Sequence, residues 1–134
     1  MKREYILGED SNRITLEVTI GTTAIASTVV ARHRSGGEKT VIARSDVDSG
    51  NISNREIGSA AELRDSVLVI VTVLNIADPN DIDSILHGLV TRYKIAGGFS
   101  GMQTYDHDTD DITINASNTI VVVSKAIKFT SQSV

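Results

Sequence analysis

Residues Ser66 to Ile76 read Ser-Val-Leu-Val-Ile-Val-Thr-Val-Leu-Asn-Ile, an apolar run with Val, Ile or Thr at seven of its eleven positions. A short apolar segment with polar flanks is either a strand buried on both faces or part of a buried helix. As a strand it sends Leu68, Ile70, Thr72, Leu74 and Ile76 to one side, and Val67, Val69, Val71 and Val73 to the other. As a helix it lines Leu63, Val67, Ile70 or Val71, and Leu74 along one face. Ser59 followed by Glu62 fits a capping box, in which each side chain satisfies an amide that a helix start leaves open. Against this, branching at Cβ crowds the preceding helical turn but suits a pleated sheet, so four valines at alternate positions favour the strand. The run is read as a strand, with residues 59 to 64 allowed one helical turn before it.

Working outward, Arg13 to Ile20 gives the clearest alternation. Ile14, Leu16, Val18 and Ile20 interleave with Arg13, Thr15, Glu17 and Thr19, the period of a sheet with one wet face. Strands are also expected over 3–8, 24–32, 39–44, 52–57 and 89–96, with short ones at 112–115, 120–123 and 126–130. Residues 99–105 are irregular or a short strand. Gly36-Gly37 suits a tight hairpin, and Gly97-Gly98 ends a strand. Asp78 as cap, Pro79 at the first position and acids in the first turn predict a short helix near 79–87.

A chain of 134 residues is expected to form one domain spanning 1–134. With no cysteine, disulfides, thiolate zinc sites and cysteine catalysis are excluded. Thirteen basic against seventeen acidic residues oppose a phosphate-neutralising footprint, so no nucleic-acid partner is expected. Five aromatic residues (three Tyr, two Phe, no Trp) supply few stacking platforms. The start Met-Lys-Arg-Glu-Tyr lacks the apolar core of a leader, and the longest apolar run is too short for a membrane span. The expectation is a soluble chain with no membrane partner, cytoplasmic or exported by a signal-independent route.

Among candidate sites, Asp106, Asp108 and Asp110 have the one-three-five spacing by which a loop turns carboxylates toward a hard cation such as calcium. The pattern departs from an EF-hand, because Asp111 replaces the required glycine and Ser117 stands where the bidentate Glu belongs. A charged hairpin tip is the alternative reading. Asp46, Asp48 and Asn51 offer a second set of oxygen ligands, read as an Asx-rich turn. Arg32, His33, Arg34, Lys39 and Arg44 cluster around one hairpin, as a solvated tip or a small anion site. His33, His87 and His107 have no metal-ligand spacing, and Gly98-Phe99-Ser100-Gly101 is one residue short of a nucleophile elbow.

These readings converge on an all-β antiparallel sandwich, jelly-roll-like, with one short helix. The alternative is an α+β fold with two helices packed on one sheet. The expected function is a non-enzymatic structural or assembly module that forms homo-oligomers or docks into a larger protein particle. Its interface would lie at Val67, Val69, Val71 and Val73, because a strand apolar on both sides needs a second cover. The competing class is a calcium-assisted ligand-binding module. An enzyme ranks last, since no nucleophile and base pair at an interpretable spacing.

Overall fold

Alternating polarity becomes alternating burial. The computed structural model describes residues 4–34, 36–45 and 48–131. Among them are ten strands: β1 (Glu4–Leu7), β2 (Arg13–Gly21), β3 (Ile25–Arg34), β4 (Lys39–Arg44), β5 (Ile52–Ser59), β6 (Ser66–Asn75), β7 (Val90–Ala96), β8 (Gln103–Tyr105), β9 (Ile112–Ile114) and β10 (Ile120–Ser131). Two short helices join them, α1 (Ala60–Leu63) and α2 (Ile82–Gly88). The strands form a major sheet in the order β1-β10-β6-β3-β4, with β9 also on β10, and a minor sheet in the order β5-β2-β7-β8. This is a sandwich-like all-β fold with a short helix, not the α+β alternative.

β6 sits between β10 and β3 and is antiparallel to both. Leu68, Ile70, Thr72 and Leu74 turn inward and are buried, facing Ile14, Leu16, Val18 and Ile20 of β2 across one apolar core. Thr72 is tolerated there because its hydroxyl meets that of Thr28 on the neighbouring strand at 2.8 Å. The capping box at Ser59 and Glu62 is real but opens a single turn: Ser59 Oγ accepts from the Glu62 amide, and the Glu62 carboxylate accepts from the Ser59 amide. Asp65, with φ of 60°, then turns the chain into β6. Both signals in this stretch were therefore correct, for adjacent segments.

The helix predicted near 79–87 begins as a 3-10 turn over Pro79–Asp81, capped by Asp78, whose side chain accepts from the Asn80 amide. α2 follows, with Ile85 buried and Ile82 and Leu86 against the core. Two sequence readings need correction. The segments 120–123 and 126–130 are one continuous strand, because Lys125 does not break β10 but points into the interior. Moreover, β1 pairs with β10 in parallel, whereas the other named strand pairs are antiparallel.

β1 is anchored by aromatic hydroxyls. Tyr5 Oη donates to the Gly101 carbonyl at 2.6 Å and accepts from the Gly98 amide at 2.8 Å, and Tyr105 Oη donates to the Glu4 carbonyl at 2.7 Å. Glycines permit this close approach. A Cβ on Gly97 would lie 2.0 Å from the Arg13 carbonyl oxygen, and its φ is +103°. Gly97→Ala is therefore expected to lower the denaturant midpoint by the equivalent of at least about 2 kcal/mol, from backbone strain plus displacement of β2. Gly36→Ala, where a Cβ meets nothing within 4 Å, should leave the midpoint unchanged.

Candidate functional site

The side chains singled out from the sequence gather in two places, the loop between β8 and β9 and the outward face of the major sheet. In the loop, Asp108 and Asp111 close a 3-10 turn over Thr109–Asp111, with the Asp108 amide donating to Asp111 Oδ2 at 2.8 Å. Lys125 Nζ reaches Asp108 Oδ2 at 3.0 Å and Asp111 Oδ2 at 3.6 Å, and its side chain is only 2% exposed. An ammonium taken this far from water needs a paired, hydrogen-bonded setting, and the loop provides one. The acidic spacing anticipated a hard cation; two of the loop's carboxylates instead meet a cation belonging to the same chain. Asp106 and Asp110 are exposed. Among the described residues, no group of three or more His, Asp or Glu is placed to hold a metal ion.

Lys125 itself was missed in the sequence, although a signal was present. Val121, Val123, Lys125, Ile127 and Phe129 share one face of β10, and a lysine on that apolar face asks for an acidic partner. Nearby, His107 and Thr91 are bound twice: Thr91 Oγ1 lies 2.8 Å from His107 Nδ1, and the His107 amide donates to the same oxygen at 2.8 Å. The neighbouring Tyr93 hydroxyl is buried, and Thr91 is the hydrogen-bonding side chain beside it. Burial pushes Tyr93 up to about 12, with Asp111 and Asp106 reinforcing the shift and Thr91 opposing it. Tyr105 is likewise pushed up to about 12, by burial first and by Tyr5 second.

The other clusters disperse. Around the β3–β4 hairpin, Arg34 donates to the Glu62 carbonyl at 2.9 Å, while Arg32 projects to the sheet face opposite His33. Arg44 lies at the far end of β4. Asn51 Oδ1 accepts from the Ile20 amide at 2.7 Å, which ties the loop to β2 as a turn would. Asp46 lies outside the described residues. Ser100 Oγ accepts from the Ile6 amide at 3.0 Å.

The outward face of the major sheet is different in kind. Val67, Val69, Val71 and Val73 lie along its centre, each half-buried by its neighbours. Register places Ala31 and Ala126 beside Val69, Val29 and Ser124 beside Val71, and Ser27 and Val122 beside Val73. Ser27, Ser124 and Ala126 are exposed, so among the described residues no further layer of this chain lies over the face. At one end Val67 is flanked by His33 and Lys128, and there a recess of about 410 Å³ is lined by His33, Arg34, Asp65, Ser66, Val67 and Lys128. α2 is absent from this face because its apolar side chains join the interior.

No family model matches the chain, and neither the curated proteins nor the solved structures contain a significant match.

Lys125→Met is expected to destabilise the fold by about 3–5 kcal/mol in denaturant titration, since it takes from Asp108 and Asp111 the ammonium they face. Adding Asp108→Asn should recover part of that loss. On the alkaline side the sign follows from folded tyrosine values raised above the ordinary 10. Their contribution is complete below pH 10 and is lost as pH rises toward about 12. Tyrosinate absorbance should thus appear together with unfolding. Tyr93→Phe, which removes a buried hydroxyl with only Thr91 beside it, should change stability little at neutral pH and lessen the alkaline loss.

Proposed function

We propose that this protein is a non-enzymatic assembly module, one that forms homo-oligomers or docks into a larger protein particle through the outward face of its major sheet. The observation that carries this reading is the row Val67, Val69, Val71 and Val73 on the central strand, half-buried and without a covering layer among the described residues. An antiparallel sandwich normally keeps its outer face polar, as β2 does with Arg13, Thr15, Glu17 and Thr19.

Reactive side chains elsewhere are engaged in holding the fold. Lys125 is matched to Asp108 and Asp111, His107 to Thr91, and Ser100 to the Ile6 amide. That use supports a structural role over a catalytic one.

Magnitudes limit what the valines do alone. Covering a valine already mostly buried contributes about 0.5 kcal/mol, so the row supplies about 2 kcal/mol on this side of an interface. Association costs about 4–15 kcal/mol in lost freedom. The valines therefore act with the flanking residues of the same face, not by themselves.

The test is the solution mass of the folded chain. Light scattering across micromolar concentrations should give a mass above the 14.4 kDa of one chain. Val69→Thr with Val71→Lys should lower that mass with the circular dichroism spectrum retained. A strictly monomeric wild type that also joins no partner particle would reject the proposal.

A further inference from the structure

On the edge of β10 away from β6, β9 pairs up to Val123 and β1 begins at Lys128, so Ser124 to Ile127 have no strand on that edge among the described residues. The loop with Asp108 and Asp111 lies there instead. Lys125 stands in this interval with its side chain directed into the sandwich, between Val123 and Ile127 and opposite Ile70, all fully buried. Its Nζ is 3.0 Å from Asp108 Oδ2 and 3.6 Å from Asp111 Oδ2, and the three side chains are 2%, 17% and 7% exposed. One cation thus faces two carboxylates that water hardly reaches. Asp111 Oδ2 is held in place by the Asp108 amide at 2.8 Å. An ion pair requires only one carboxylate, whereas a condensation uses a second to move protons.

We propose that Lys125 and Asp108 join in an intramolecular amide, formed after folding from the ion pair described above, with Asp111 as proton carrier. Nζ, as the free amine, attacks Cγ of the protonated Asp108, and the C–N bond forms as a C–O bond breaks. Of the three protons on the ammonium, one stays on the amide nitrogen and two leave on an Asp108 oxygen as water. No oxidant or further reactant is needed. Asp111 takes the proton from the attacking nitrogen and delivers it to the leaving hydroxyl. The fold supplies proximity, since groups fixed in a near-attack arrangement reach effective molarities of about 10⁵–10⁸ M. The apolar surround favours the product, because an amide is neutral where the ion pair is charged. The bond ties the β8–β9 loop to the middle of β10, whatever covers the valine face.

Intact-mass spectrometry of the denatured full chain tests this. The chain should weigh about 18 Da, one water, less than its sequence requires. Trypsin should leave the Lys125–Ala126 bond uncut, and fragmentation of that peptide should give no ions from breaks between Asp108 and Lys125. Lys125→Arg, which keeps a cation for both carboxylates, should restore the full mass. Asp111→Asn, with Lys125 and Asp108 untouched, should slow the loss of water by at least about 100-fold in a time course on freshly synthesised chain. The wild-type peptide map decides the case even where a variant fails to fold. A folded wild type that keeps its full sequence mass over days overturns the proposal. So does a loss of water that persists in Lys125→Arg, since it then arises at other residues. An Asp111→Asn chain that loses water at the wild-type rate overturns the role of Asp111.

Discussion

The inward face of β6 is the constraint on which the other elements depend. Leu68, Ile70 and Leu74 are fully buried only because β10 and β3 pair along both edges of that strand and the minor sheet closes over it. Hydrogen bonding on both edges satisfies the backbone of β6, and burial of its side chains removes apolar area from water. Once that strand is central, its other face must point away from the sandwich. The outward valines are thus a consequence of the same alternation that builds the core.

The minor sheet and the connections complete the enclosure by local means. α1 is a single capped turn between β5 and β6, and α2 closes one end with Ile85 and its neighbours. The glycine pair at 97 and 98 lets the β7–β8 connection approach Tyr5 and the Arg13 backbone closely enough to hold β1 on the edge of the major sheet. The Asp108–Asp111 loop admits a lysine into the interior by enclosing its ammonium. A buried ion group of this kind specifies which strand residue faces in, at a stability contribution that desolvation keeps small.

Exposed acids occupy the connections at both ends of the sheets, while Lys39, His33 and Lys128 of the major sheet's outward face stand in one row with Val67. Net charge hides this arrangement, since the total of minus four is compatible with many distributions.

Local chemistry legible in the chain determined the class of fold. Period-two alternation in β2, Cβ branching in β6, the Ser59–Glu62 box and the Asp78-Pro79 start each depend on neighbours within a few residues. The four valines were also legible as a second apolar face, because a strand's side chains alternate whatever surrounds it. What covers each face, and what each charge meets, was decided by tertiary structure. Lys125 and Asp108 are 17 positions apart and Tyr5 and Gly101 are 96 apart, so no local pattern could pair them. The one-three-five spacing at Asp106, Asp108 and Asp110 is compatible with a bound cation, a solvated loop or an internal ammonium. Only the pairing of β10 between β6 and the β1–β9 edge brings Lys125 to that loop.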